Sequence, residues 1–170
     1  MLGRIGGGLN QFIFGRLLHR YEPFETTCGP ARARNSFDLR SRKGTMKLYH
    51  DRVWRDAHDV RGASHDYSAR DVHALIEVFT GAIDDIAAGR STDYGVVLRA
   101  GDGAMRQQER FYTEASGDGY YLFCRSASGA WGAEHTEVTS FAADEVERIA
   151  QVLLDARERM GGAAGDSVAR

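Results

Sequence analysis

The chain has 170 residues and a formal net charge of −2, with 42% hydrophobic and 27% charged residues. This length and composition are typical of one folded globular domain, and they exclude a chain that is disordered throughout. No apolar run approaches the ~20 residues of a membrane-spanning helix, and Cys28 and Cys124 are too far apart for a cysteine metal motif, so we expect a cytoplasmic protein with no membrane contact.

Residues 1–45 form a basic N-terminal segment. They contain eight Lys and Arg against three Asp and Glu, whereas the remainder contains 14 against 21. The segment includes apolar residues that predict a short helix: Leu9, Phe12, Ile13, Leu17 and Leu18. The stretch before Met46 can be encoded by purine-rich codons that resemble a ribosome-binding site. We therefore expect the segment to be flexible or upstream of a native start at Met46, in a GC-rich bacterial or phage gene.

Residues 46–162 are predicted to form a single α+β domain. It begins with a strand over 46–56 and a turn over 60–63, and the first helix then runs from Ser68 to about Gly89. Ser68 and Asp71 have the spacing of a capping box. Apolar residues follow at the three- and four-residue intervals of a helix that lies on a core: Val72, Leu75, Ile76, Phe79, Ile83 and Ile86.

Turn signals after residue 93 predict a β-meander. Its four strands are expected at 94–100, 104–115, 120–126 and 130–139, with a turn over 127–129. A second amphipathic helix is predicted from Ala142 to Met160, ended by Gly161 and Gly162, and residues 163–170 are expected to be a disordered tail. The predicted fold is thus an antiparallel four- to five-stranded meander with two long amphipathic helices packed on one face.

The starts of the two helices have a common pattern. Tyr67 corresponds to Phe141 and Val72 to Val146, so each helix has an aromatic residue before its cap and an aliphatic residue five positions later. This is the spacing of a hydrophobic staple, which fixes the angle between the incoming strand and the helix. Either an ancient duplication or the general requirements of a helix that leaves a sheet can explain the pattern.

Three His-Asp dipeptides occur within residues 50–66. Imidazoles and carboxylates can bind a divalent metal or transfer a proton. One hypothesis is therefore a metal-dependent hydrolase that uses His50, His58, His65 and Asp59. HD phosphohydrolases resemble the chain in the dipeptide alone, since their ligands lie on several helices of an all-α domain. The alternative is a solvated strand and turn with surface histidines.

Side chains should alternate across the meander. Val96, Leu98, Phe111, Leu122 and Cys124 are expected to face the helices. The opposite face then carries arginines interleaved with aromatics: Arg106, Arg110, Tyr112, Tyr121, Phe123, Arg125 and Trp131. Such a face can stack on bases and hold phosphates, or it can contact a protein. A meander followed by a C-terminal helix resembles in outline the single-strand-binding modules of the Pur, Whirly and PC4 type.

The sequence predicts a binding protein rather than an enzyme. Gly-x-Ser-x-Gly and Walker A motifs do not occur, and no cofactor is expected. The first hypothesis is a non-enzymatic protein that acts through the aromatic and arginine face on a protein partner or a second copy, as an inhibitor, adaptor or immunity-type factor. The alternatives are a single-stranded nucleic-acid-binding module and the metal-dependent hydrolase.

Overall fold

A computed structural model describes residues 15–100, 106–117, 119–130 and 133–165. The chain divides into two compact units, one of Met1–Val72 and Asp155–Arg170 and the other of His73–Leu154. The predicted α+β class, with antiparallel sheets and two helices, is confirmed. In chain order the elements are β1 Arg16–Arg20, β2 Phe24–Cys28, β3 Ala31–Arg42, β4 Thr45–Arg55, β5 Val60–Tyr67, α1 Ala69–Ala87, β6 Asp93–Ala100, β7 Arg106–Ser116, β8 Gly119–Ala130, β9 Ala133–Phe141 and α2 Ala143–Gly165.

The first unit contains an antiparallel sheet in which β1 and β2 both pair with β3, followed by β4 and β5. Along β3 every second residue from Ala31 to Leu39 is buried. This period of two places one face of the strand against a core and the other toward solvent. Residues 16–42 therefore supply strands. The short helix predicted through Leu17 and Leu18 is wrong for these two residues, which lie in β1 and are 40% and 44% exposed.

The turn predicted over residues 60–63 is also misplaced. Those residues begin β5, where Gly62 pairs with Val53 of β4. The turn lies at residues 56–59, where the Asp56 carboxylate accepts the backbone N–H groups of His58 and Asp59 at 2.7 Å each. An aspartate that binds the backbone two and three residues ahead stabilises a turn locally.

The second unit contains the predicted meander, an antiparallel sheet in the order β6, β7, β8, β9. Three boundaries differ from the prediction by three residues or more, one of them the start of β9, which is Ala133 rather than residue 130. β8 continues to Ala130, through the expected turn over 127–129, and α2 continues through Gly161 and Gly162 to Gly165. Residues 166–170 of the expected tail lie outside the described residues.

Helix α1 begins with the predicted capping box. The Ser68 N–H and hydroxyl donate to Asp71 Oδ2 at 2.9 and 2.7 Å, and the Asp71 N–H returns to Ser68 Oγ at 3.3 Å. The helix buries its apolar stripe, and Phe79 packs edge-on against Phe111 and Phe141 at centroid distances of 6.0 and 5.7 Å. Among the described residues no helix is long and apolar enough to cross a membrane.

The two sheets have the same pairing register at a constant spacing. Leu48 pairs with Tyr67 in the first sheet, and Leu122 pairs with Phe141 in the second, each residue 74 positions later. The same spacing relates the other two strand pairings. The pair of Leu39 and Leu48 in the first sheet corresponds to the pair of Thr113 and Leu122 in the second, and the pair of Thr26 and Ala33 corresponds to the pair of Ala100 and Gln107. A helix that merely leaves a sheet explains the staples but not three matching registers, so the structure favours a duplicated unit of strands and helix.

We expect Leu48→Ala and Leu122→Ala each to lower the free energy of unfolding by about 2–5 kcal/mol, because each leaves a cavity at a fully buried position. Urea denaturation measures the loss. Val60→Ala is the control, since Val60 is 57% exposed and its truncation should cost less than about 0.5 kcal/mol. A leucine variant as stable as this control would contradict the equivalence of the two positions.

Candidate nucleic-acid interface

The alternation predicted for the second sheet is observed on β7 and β8. Phe111, Leu122 and Cys124 are buried on one face. Residues of opposite parity therefore occupy the outer face, and five predicted binding residues lie there: Arg110, Tyr112, Tyr121, Phe123 and Arg125. The side chains of Val96, Leu98 and Arg106, and the whole of Trp131, lie outside what the structure describes.

Three half-buried rings, Tyr112, Tyr121 and Phe123, form what we call the aromatic platform. Tyr112 and Phe123 are directly opposite each other on β7 and β8, and their rings stack with centroids 5.4 Å apart at 15°. Tyr121 lies two residues before Phe123 and meets its ring at 6.4 Å and 62°. Cross-strand aromatic pairs of this kind stabilise a sheet and fix the orientation of both rings.

The two arginines beside the aromatic platform, Arg110 and Arg125, differ in whether another side chain binds their guanidinium group. Arg110 donates its Nε–H to Asp93 Oδ1 at 3.0 Å and forms a second bond from Nη2 to Oδ2. This hydrogen-bonded pair raises the pKa of Arg110 and lowers the pKa of Asp93, which also accepts the Gly95 N–H. Arg125 lies opposite Arg110 and is exposed, with no ion pair to any residue that the structure describes.

Half-buried rings and an exposed arginine on adjacent strands match the requirements of a single-stranded nucleic acid. Every base has a π face that can stack on an aromatic side chain, at ~1–3 kcal/mol per base. The guanidinium of Arg125 can bind a phosphate through two parallel hydrogen bonds, or stack on a base itself. Because Asp93 holds Arg110, that guanidinium has less freedom to turn toward a ligand.

The first of the His-Asp dipeptides places its histidine in the core. The Nε2–H of His50 donates to Asn35 Oδ1 at 2.7 Å, and the ring stacks on Phe37 with centroids 4.1 Å apart at 9°. Burial lowers the pKa of His50 well below its usual value, and the charges of His65 and Arg52 act in the same direction. A buried, neutral imidazole with a hydrogen-bond partner is a stable part of a core.

The other predicted metal residues are only partly brought together. The rings of His50 and His65 are 6.4 Å apart on one face of β4 and β5, where the positive charge of Arg52 opposes a cation. His58 lies in the turn between these strands, next to Asp59, which binds Arg61 at 2.6 Å. Within the described ranges no group of three His, Cys, Asp or Glu side chains is placed to hold a metal. The metal hypothesis stays a prediction.

The sequence reasoning missed a basic surface on the outer face of the first sheet. By register, Arg32 and Arg34 of β3 and Arg55 of β4 share this face, and all three are exposed. The signal was present as arginine at every second position of Ala31–Arg34. This signal is weak, because the inward residues Ala31 and Ala33 are small and weaken the hydrophobic pattern of a strand.

Comparison with known proteins shows similarity in structure alone. No family model matches the chain, and no curated protein matches it in sequence. Its structure is similar to that of WHY1 from Arabidopsis thaliana, with a TM-score of 0.51, 11% sequence identity, and 89% of this chain and 99% of that chain covered. It is also similar to the plant transcriptional regulator PBF-2, with a TM-score of 0.50, 9% identity and 85% of each chain covered. At these identities the likeness shows the fold.

The burial of His50 predicts an acid-sensitive stability. The unfolded chain binds a proton at this residue below a pKa near 6.5, whereas the folded protein keeps it neutral. The unfolded state therefore binds more protons than the folded state below pH 6.5. As the pH is lowered, the free energy of unfolding should decrease by up to about 1.4 kcal/mol per pH unit. Urea denaturation at several pH values between pH 7 and pH 5 measures the slope of the free energy of unfolding against pH.

His50→Gln keeps an N–H donor for Asn35 and removes the titration, so its slope over the same pH range should be smaller. His73→Gln is the matched control, because the His73 side chain is 66% exposed. The carboxylates with lowered pKa values, among them Asp38, affect stability at a lower pH. Equal slopes in the His50 variant and the unmutated protein would contradict the assignment.

Proposed function

We propose that the protein is a single-stranded nucleic-acid-binding module that stacks bases on the aromatic platform. The observation that carries this proposal is the stacked pair of Tyr112 and Phe123, half-buried on the outer face of the second sheet and flanked by Tyr121 and Arg125. Aromatic rings beside an exposed arginine supply both kinds of contact that a single strand offers, the base face and the phosphate.

The duplicated fold supplies an internal comparison. At the same spacing of 74 residues, two rings of the aromatic platform correspond to charged residues of the first sheet and the third corresponds to a tyrosine: Tyr112 to Asp38, Tyr121 to Lys47 and Phe123 to Tyr49. The two strand pairs have the same register and comparable buried faces. Since the first sheet folds with a carboxylate and an ammonium group at the first two positions, sheet formation does not require aromatic rings there. The rings of Tyr112 and Tyr121 therefore support a role in binding.

The net charge of the second unit affects how its outer face would bind nucleic acid. The described part of the second unit carries six arginines against 11 Asp and Glu. Affinity for nucleic acid that comes from phosphate neutralisation falls with added salt, whereas stacking on rings is less sensitive. We therefore expect the aromatic platform to contribute mainly through stacking.

The fold likeness supports the same class of ligand. The similar solved structures are of Whirly proteins, and one of them is described as a plant transcriptional regulator. This agrees with the resemblance in element order between the meander with its C-terminal helix and single-strand-binding modules. It supports the nucleic-acid alternative above the protein-partner hypothesis, which the sequence had placed first.

A contact between copies is a second candidate, favoured by Val138 on the edge strand β9. This side chain is 51% exposed beside the backbone groups of an edge, and such edges can pair with another chain. Light scattering after gel filtration tests it. A dimer that Val138→Lys converts to a monomer would support the contact, and a monomeric unmutated protein would exclude it.

The proposed function predicts that the double variant Tyr112→Thr with Phe123→Thr binds a fluorescein-labelled oligothymidine at least ~10-fold more weakly at low salt. Two stacking rings are lost, each worth ~1–3 kcal/mol. Threonine preserves the preference for a strand, so the sheet should remain. Fluorescence anisotropy measures binding, and circular dichroism checks the fold.

The matched control is Tyr112→Phe with Phe123→Tyr, which retains both rings and exchanges only the hydroxyl. It should bind like the unmutated protein. Unmutated protein that binds no oligothymidine at low salt would overturn the proposed function. Equal affinities for the threonine variant and this control would show that the aromatic platform does not contribute to the proposed function.

A further inference from the structure

The outer face of the first sheet contains basic side chains in two different states. Near its middle the charges are neutralised. Arg20 and Arg40 both donate to Asp38, at 2.8 and 2.7 Å, and Lys47 binds Asp66 of the next strand. Hydrogen bonds from Arg20 and Arg40 lower the pKa of Asp38, so this carboxylate stays ionised and holds both guanidinium groups. These side chains are occupied by partners within the protein.

At one end of the same face lie Arg32, Arg34 and Arg55, which we call the arginine cluster. Arg32 and Arg55 are directly opposite each other on β3 and β4, and Arg34 lies two residues along β3 on the same face. All three are exposed, and the structure records no hydrogen bond or ion pair between them and any described residue. Glu25 of β2 is opposite Arg34, is also exposed, and forms no recorded ion pair with it.

This arrangement has an electrostatic cost in the protein alone. Like charges directly opposite each other on neighbouring strands repel and destabilise the pair. Positions two residues apart on a strand are ~6.6 Å apart, and neighbouring strands are ~4.8 Å apart, so all three guanidinium groups can reach one ligand. An anion between Arg32 and Arg55 would replace their repulsion with attraction.

The chemistry of the side chains selects the kind of anion. The planar guanidinium group presents its donors in a fork that matches a phosphate through two hydrogen bonds. Val53 opposite Arg34 and Val60 opposite Arg55 are 41% and 57% exposed, so apolar surface adjoins the arginine cluster. Successive phosphates separated by sugars, as in a polynucleotide strand, match charges next to apolar surface better than an isolated inorganic ion does.

We infer that the arginine cluster binds the phosphate backbone of a single-stranded nucleic acid, an inference that rests on the proposed function for the class of ligand. The balance of charge between the units supports it. The described part of the first unit carries 14 Lys and Arg against 10 Asp and Glu, whereas the second unit has an excess of acid. Because phosphate neutralisation supplies most of the salt-dependent affinity for nucleic acid, the first unit is the better source of it.

The test is a triple variant, Arg32→Gln, Arg34→Gln and Arg55→Gln, with a labelled oligothymidine as the probe. Fluorescence anisotropy at several salt concentrations gives the slope of log affinity against log salt. Each phosphate contact on a single strand contributes ~0.7 to this slope, so losing three contacts should reduce it by about 2. Affinity at low salt should fall, and the difference from the unmutated protein should shrink as salt is added.

The matched control is Arg20→Gln, Arg40→Gln and Lys47→Gln, which removes three positive charges from the same face where carboxylates already neutralise them. It should change the slope by less than the first triple variant does. Equal changes in the two variants, or an unchanged slope in the first, would overturn the inference. Circular dichroism confirms that both variants are folded.

The threonine variants of the aromatic platform separate this inference from the proposed function. If they lose affinity while the arginine variant does not, base stacking stands and the arginine cluster is excluded. If they bind normally while the arginine variant loses affinity and slope, the phosphate surface stands without the aromatic platform. If unmutated protein binds no oligothymidine at low salt, both this inference and the proposed function are wrong.

Discussion

The pairing register of the central hairpin in each sheet is the constraint on which the other features depend. A slip of one residue would move every side chain of a strand to the opposite face. The first hairpin is joined by Lys43 and Gly44, both with positive φ, at 51° and 78°, which is the geometry of a two-residue turn that matches the twist of the strands. With the register fixed, Leu48 and Leu122 are buried, and charged or aromatic residues occupy the outer faces.

The two outer faces show how one backbone plan can support different chemistry. The buried faces are similar because both must cover a core, and Phe37 and Phe111 occupy equivalent buried positions. The outer faces are free of that requirement. One carries ion pairs and exposed arginines, and the other carries stacked rings. In our account the rings of the second unit bind bases and the arginines of the first unit bind phosphates. This assignment agrees with the excess of basic residues in the first unit and of acidic residues in the second.

Much of the second unit could be predicted from the sequence, because turn residues separate its strands and Phe111, Leu122 and Cys124 alternate with polar or aromatic residues. Most of the first sheet could not. The inward residues of β3 include Ala33 and Asn35, which give a weak hydrophobic signal, and much of β5 is exposed on both faces and is a strand only because β4 pairs with it. The strand predicted over 46–56 places His50 and Asp51 on opposite faces, but the sequence did not show that the second dipeptide lies in a turn and the third in a strand that pairs with β4.

The most direct test of the account is photocrosslinking of the protein to an oligothymidine that carries 5-bromodeoxyuridine, followed by mass spectrometry of the crosslinked peptides. Bases that stack on a ring react with that ring or its neighbours. We predict that the modified base is attached to Tyr112, Tyr121 or Phe123. Crosslinks confined to peptides outside β7 and β8, with these three residues unmodified, would contradict the account.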